Sequence, residues 1–354
     1  MNYFNRTRRL IGALKAKKVD ALLVRKKQNI AYLTGTKGED ALLFVSKGGN
    51  FLVTDSRYRE EYARSPKNYQ LIITKDKNIY SLIDEACRKT HSRRIGFESN
   101  SISHAGYTAL KKKLKNKKLV PISRVVEDLR MIKDSEEVRR IKKACKDGSS
   151  IMDYAIKCVK PGLTEKQVKS RIEERVMKKG MKTADFDIIV ASGRNASMPH
   201  ASSSNKKIKG GEMVVIDLGI MNYGYNSDLT RTVFLGRIDR KSLAIYNTVR
   251  EAQTRAIGKI RPCIRSSYID NISRQYIKSE GFGKYFIHSL GHGLGMETHE
   301  RPGISASSKT ILQKNMVITI EPGIYIPGWG GVRIEDVVLV TKNGREILTR
   351  CRYR

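Results

Sequence analysis

Two domains of mixed α and β structure are what this 354-residue sequence predicts. Three observations point there. Over residues 1–128, short apolar runs alternate with amphipathic segments, the rhythm of an α/β domain with a mixed or parallel sheet. Around residues 121–135 the alternation gives way to a charged junction that contains Pro121, Glu127, Asp128, Arg130, Lys133 and Asp134. Over residues 129–354, strand-like stretches carry carboxylates, and glycine-rich sequence carries a histidine cluster.

In order along the chain, residues 8–18 read as a basic helix with Leu10, Ile11 and Leu14 on one face. ALLV at 21–24, ALLFV at 41–45 and residues 51–54 read as strands, with NIAYLTG at 29–35 between the first two. Strands at 71–74 and 94–97 and helices at 79–88 and 106–114 complete the first domain. It contains no phosphate loop or GxGxxG, and His91 and His104 read as surface residues. Ser135 is placed to N-cap a long helix on which Val138, Ile141, Cys145, Met152, Ala155 and Ile156 recur, weakened at Gly148. Thr164 and Gln167 form a capping box for a helix to about residue 179. A strand at 186–191, the loop SGRNASMPH at 192–200 and helices at 242–260 and 267–281 follow.

Composition sets bounds. Hydrophobic residues at 40% are ordinary for a soluble globular protein. No apolar run approaches the ~18–20 residues of a membrane span. Residues 10–14 are too short for a signal-peptide core, so the expected location is cytoplasmic. Cys87, Cys145, Cys158, Cys263 and Cys351 form no CxxC pair, which argues against a disulfide framework or a thiolate zinc site. The net charge of +34, from 69 Lys+Arg against 35 Asp+Glu, raises the question of nucleic acid. That charge is spread along the chain with no aromatic-interleaved basic stripe, so nucleic-acid binding stays a distant alternative.

The chemistry gathers at residues 215–232, VIDLGIMNYGYNSDLTRT, which read as a β-hairpin with turn residues at Gly219, Asn222, Gly224 and Asn226. Asp217 and Asp228 lie in or beside its apolar strands. Two carboxylates buried together repel each other unless a cation joins them. Taken alone, one aspartate can equally be a turn residue and the other a partner of Arg231. Three further clusters shift the balance. IHSLGHGLGMETHE at 287–300 holds His288, His292 and His299, with glycines that argue against a regular helix. VITIEPGIYI at 317–326 ends an apolar run at Glu321, and GVRIEDVVLV at 331–340 embeds Glu335, for which Arg333 is the plain salt-bridge alternative. Four carboxylates and an imidazole make an oxygen-rich shell suited to Mn²⁺, with Co²⁺, Fe²⁺ or Zn²⁺ as alternatives. About four negative charges call for two divalent ions, and paired ions that share a hydroxide support amide hydrolysis.

The ordered set DLG…SDLTRT, HGLG…THE, EPG and RIED, with Pro199-His200 in the preceding loop, closely resembles the pita-bread metallopeptidases. NIAYLTG and TDSRY resemble the creatinase-type N-terminal domain of that family's proline-specific branch. The resemblance implies a creatinase-like α/β domain at 1–128 and an α+β pita-bread domain at 129–354. It implies that Asp217, Asp228, His292, Glu321 and Glu335 hold two divalent ions and that Glu335 is the general base. It gives His200 and His299 the tetrahedral intermediate and the leaving-group proton, His288 a substrate contact, and Arg333 the orientation of carboxylates. His288 can also be structural, and Arg333 a charge partner. Arg194 departs from the smaller residue or proline of many relatives, a change that bears on the substrate mouth.

The function the resemblance implies is hydrolysis of the bond between an N-terminal residue and proline by an Xaa-Pro aminopeptidase, with no membrane partner, acting as a homodimer on peptides with proline second. The alternative is an Xaa-Pro dipeptidase (prolidase). Further away stand a creatinase-like hydrolase, which the complete ligand set opposes, and a non-peptidase that binds nucleic acid.

Overall fold

The structure is a computed structural model that describes residues 1–65, 68–74 and 79–351. The chain divides into two compact units, Met1–Arg130 and Met131–Arg354.

The first unit is built on helices α1 (Tyr3–Ala16), α2 (Lys27–Thr34), α3 (Arg59–Ala63), α4 (Ile79–Lys89), α5 (His104–Lys113) and α6 (Val125–Arg130). Its strands are β1 (Ala21–Val24), β2 (Leu42–Ser46), β3 (Gly49–Asp55), β4 (Gln70–Thr74), β5 (Arg94–Glu98) and β6 (Lys118–Ile122). They form one mixed sheet in the order β4-β3-β2-β1-β5-β6, parallel except where β2 meets β1 and β3. Leu23, Phe44, Val53, Ile95 and Leu110 pack its core. Helix α1 starts at Tyr3, ahead of the basic stretch, because Asn2 accepts from the Asn5 amide and caps it.

The NIAYLTG segment forms α2 and ends at Gly35, whose φ of +79° closes the helix in the left-handed region that glycine tolerates. Its Asn29 is fully buried. The side chain donates to Glu98 at 2.6 Å and Glu127 at 3.0 Å, and accepts from Arg130 at 2.7 Å. His91 and His104 are exposed.

In the second unit α7 (Ser135–Cys158) and α8 (Glu165–Lys178) pack on a sheet of β8 (Ile189–Ser192), β9 (Met213–Leu218) and β12 (Leu229–Phe234). The N-cap of α7 is Asp134 rather than Ser135: its carboxylate accepts from the Glu137 amide, and the Glu137 carboxylate accepts from the Asp134 amide. A carboxylate at that position also favours the positive end of the helix dipole. The Thr164–Gln167 capping box forms as the sequence predicts. Strands β7 (Lys182–Thr183), β10 (Ile220–Asn222) and β11 (Tyr225–Asn226) make a small separate ribbon. The predicted hairpin is therefore interrupted, with β10 and β11 forming a second, tighter hairpin at its tip.

Helices α9 (Arg240–Gly258) and α10 (Ser266–Ser279) lead to a five-stranded sheet, β14-β13-β15-β18-β19. Its strands are β13 (Gly291–Gly293), β14 (Glu300–Ile304), β15 (Val317–Ile320), β18 (Asp336–Val340) and β19 (Arg345–Ile347), and a separate hairpin pairs β16 (Gly323–Ile326) with β17 (Gly330–Arg333). Among the described residues no helix is long and apolar enough to cross a membrane. All five cysteines are free thiols, three of them buried.

Candidate metal centre

Strand alternation aims the aspartates. On β9, Val214, Ile216 and Leu218 enter the core shared with α7 and α8, so Asp217 points to the opposite face. On β12, Leu229 and Val233 enter the same core, which turns Thr230 and Thr232 toward Asp217. Asp228 has their parity and shares that face. The cross-strand partner of Asp217 is Thr230, so the two aspartates meet on one face without being opposite each other.

The glutamates come from the other sheet. Ile320 of β15 pairs with Asp336 of β18, and extending that register by one step sets Glu321 against Glu335. The Glu335 amide donates to the Thr230 carbonyl at 3.1 Å, which joins this sheet edge to β12. His292 sits between Gly291 and Gly293 in β13. A Cβ on Gly291 would overlap the Thr319 carbonyl oxygen, and one on Gly293 the Arg301 carbonyl. Both glycines let β13 lie close enough to present the imidazole.

These residues converge on one cavity of about 420 Å³, lined by Asp217, Asp228, His292, Glu321, Glu335, His200, His288, His299 and Arg333, with Phe186, Ile189 and Pro199 as apolar wall. One donor atom each from Asp228, His292 and Glu335 lies within 4.8 Å of the others. His292 Nε2 stands 3.3 Å from Glu321 and 3.7 Å from Asp228. Its Nδ1 faces the Gly293 carbonyl at 3.1 Å. A carbonyl only accepts, so Nδ1 carries a proton; without metal Nε2 carries one as well and donates toward the carboxylates, and Nε2 is the nitrogen that would give its proton up to bind a cation.

The electrostatics favour a cation. Burial and the neighbouring charge of Asp217 push the Asp228 carboxyl well above the usual range. Burial and Asp228 do the same to Glu335. Burial works against the charge of His292, but its hydrogen bond to Glu321 prevails and raises its pKa to about 9. Glu321 is held low because the His292 contact outweighs burial. Asp217 Oδ1 is buried without a hydrogen-bond partner, while Oδ2 takes the Arg333 guanidinium at 2.6 Å. An orphaned carboxylate oxygen facing protonated-or-repelling neighbours is the condition that a divalent ion relieves. The donor set therefore fits divalent metal ions.

Around these side chains, Thr230 donates to Glu335 at 2.7 Å and accepts from Arg333 Nε at 3.2 Å. Thr319 donates to Glu321 at 3.1 Å and accepts from the His292 amide at 3.0 Å. Such contacts fix carboxylate rotamers. Arg333 pairs with Asp217 rather than with Glu335 among the described residues. Arg231 forms an ion pair with Asp336 at 2.7 Å, both fully buried.

Tyr325 is the residue that sequence reasoning passed over. Its hydroxyl accepts from Arg333 Nη1 at 2.7 Å and lies 3.0 Å from His288 Nε2. His288 Nδ1 faces the Ser289 carbonyl at 2.7 Å and is the protonated nitrogen, so Nε2 accepts from the tyrosine. Burial lowers the pKa of His288, in keeping with a neutral ring. A buried tyrosine in the quoted strand was the available signal, since its hydroxyl requires a partner. His299 lies tilted against His292, ring centroids 4.4 Å apart, and burial followed by that neighbour lowers its pKa. Arg194 lines a different cavity, with Lys206, Lys207, Lys209 and Trp329, and is not among the residues that line the cavity of Asp217 and His292.

Known proteins match this arrangement. Residues 139–342 match the model of metallopeptidase family M24, and residues 6–132 match the creatinase/prolidase N-terminal domain. The chain is 38% identical over 351 residues to an Xaa-Pro dipeptidase of Pyrococcus furiosus, covering 98% of this chain and 97% of that one. An Xaa-Pro dipeptidase structure from Bacillus anthracis superposes with a TM-score of 0.96 at 34% identity, covering 100% of this chain and 99% of the other. An X-Pro aminopeptidase from Thermotoga maritima gives 0.90 at 30% identity, covering 99% of both. The weight of these names favours the dipeptidase alternative over the aminopeptidase that the sequence reading put first. The chain belongs to the pita-bread metallopeptidases of family M24 and carries their creatinase/prolidase N-terminal domain.

Proposed function

We propose that this protein is an Xaa-Pro dipeptidase that uses two divalent ions, most simply Mn²⁺, held by Asp217, Asp228, His292, Glu321 and Glu335. The observation that carries the reading is the convergence of four carboxylates and an imidazole on a single cavity with apolar wall. When bound, such a pair supplies an activated water and polarises the scissile carbonyl. Glu335, its carboxylate oriented by Thr230, takes the proton of the attacking water. His200 and His299 donate to the tetrahedral oxyanion. The bond to proline is a tertiary amide, so its nitrogen leaves only when protonated, and these histidines relay the proton. His288, fixed by Tyr325 and the Ser289 carbonyl, holds the substrate beside the scissile bond. Arg333 keeps Asp217 in its ligating rotamer. A cytoplasmic homodimer belongs to the same reading and is tested by light scattering.

The dipeptidase label rests on the relatives' names. Comparison of Ala-Pro with Ala-Pro-Ala tests it. Preferential cleavage of the dipeptide supports it, and efficient trimming of the tripeptide restores the aminopeptidase reading.

A further inference from the structure

The loop that carries His200 contains no regular strand or α-helix, yet both of its ends converge on one buried side chain. Glu165, the first residue of α8, is fully buried. Its Oε1 accepts from the Ser192 amide at 2.7 Å, from Ser192 Oγ at 2.8 Å and from Asn195 Nδ2 at 3.2 Å. Its Oε2 accepts from the Ser204 amide at 3.0 Å, from Ser204 Oγ at 2.7 Å and from Asn195 Nδ2 at 3.1 Å. Every donor belongs to the stretch 192–204. Ser192 precedes His200 by eight residues and Ser204 follows it by four.

A carboxylate taken fully out of water is costly unless its lone pairs are filled. Here two backbone amides, two hydroxyls and one side-chain amide fill them. A shape that satisfies all these donors at once is narrowly defined, because each lost bond leaves charge uncompensated. The His200 side chain is exposed and makes no hydrogen bond of its own among the described residues. The backbone beside it is also held by Arg333 Nη1, which donates to the Pro199 carbonyl at 3.3 Å, and by the Ala201 amide, which donates to the Met198 carbonyl at 3.2 Å.

We infer that Glu165 is a positioning residue for the reaction: it gathers the two ends of the loop and so sets His200 at the cavity. This rests on the role given to His200 above. The carboxylate touches neither substrate nor metal ligand and acts through the loop alone. Its geometry demands acceptors at both oxygens. Glu165→Gln replaces one acceptor with an NH₂ group that faces donors, and Glu165→Asp retracts both oxygens.

The test measures Glu165→Gln, His200→Ala and the double variant, each loaded with Mn²⁺ and assayed on Ala-Pro, together with amide hydrogen exchange of each protein. Glu165→Gln is expected to lower kcat about 10–100-fold, the usual cost of losing a group that orients a site. KM and bound metal should change little, and exchange should quicken across 192–204 while the sheets stay protected. In the His200→Ala background the same substitution should cost little further kcat, because coupled residues are non-additive. Equal losses in both backgrounds, or unchanged exchange in the loop, overturn the inference. If His200→Ala alone leaves kcat intact, the role given to His200 fails, and the exchange data still decide whether Glu165 holds the loop. Should Glu165→Gln not fold, Ser204→Ala, which removes one donor and keeps the charge, reads the same loop: quickened exchange supports the inference and unchanged exchange contradicts it.

Discussion

Arg333 Nη2 donates to Asp217 Oδ2 at 2.6 Å while Nη1 donates to Tyr325 at 2.7 Å. One guanidinium thus joins the Asp217 carboxylate to a tyrosine, and Asp217 Oδ1 is left buried without a hydrogen-bond partner. Arg333→Met should weaken Mn²⁺ binding about 10–100-fold. Arg333→Lys should not restore it, because a single ammonium lacks the fork that reaches both oxygens. Calorimetric titration of the stripped protein checks this, and unchanged affinity in either variant refutes it.

Glu335→Gln should have opposite effects on stability with and without metal. Without metal, burial and Asp228 make the Glu335 charge unfavourable, so a neutral amide stabilises the fold. With metal, the lost ligand reduces the binding contribution, which reaches about 4 kcal/mol for free ion at a thousandfold excess over Kd. Thermal unfolding of both proteins, chelated and loaded, reads the two signs. A fall in Tm under both conditions contradicts the electrostatic argument.

Tyr325→Phe keeps the buried ring and removes the hydroxyl that joins Arg333 to His288. The fold should lose about 1–3 kcal/mol from the two groups left short of a partner. Turnover of Ala-Pro should fall about tenfold, by the same reasoning about orienting groups. Unaltered kcat/KM would show that the hydroxyl is not needed to place His288.

The first unit has a pH signature of its own. Burial raises the Glu98 carboxyl above its ordinary value, although the Lys26 amide, Asn29 and the Arg25 amide all favour its charged form. A raised folded pKa means that the contribution of Glu98 is fully present below the unfolded value of about 4.3 and is lost as pH rises through the folded one. The stability of the wild type relative to Glu98→Gln should therefore decline with rising pH across that window. Urea unfolding from pH 4.5 to 8 measures it, and a difference that grows with pH reverses the sign.

Much of the site was legible because its chemistry sits on strong local patterns. Asp217, Glu321 and Glu335 each border an apolar run, and a carboxylate in such a run needs a partner. The glycines around His292 excluded a helix and left the short strand now seen. What local pattern lacks is register over distance. Nothing near Arg231 in sequence reveals that its partner is Asp336, 105 residues away. The contact of Thr230 with Glu335 spans the same separation. The hairpin is interrupted at Gly219, where the chain lies so close to Phe186, Ala184 and the Ser227 carbonyl that a Cβ would overlap them. The cap of α7 shifted to Asp134 because Glu137 answers it from three residues on, a pairing that Ser135 does not have.

The most direct test of the central claim is the turnover of Ala-Pro by exhaustively chelated protein as Mn²⁺ is added back. Activity should be absent at the start and should rise to a plateau at about two ions per chain, the stoichiometry of a paired-ion hydrolase. Full turnover by the metal-free protein, or none at saturating metal, would contradict it.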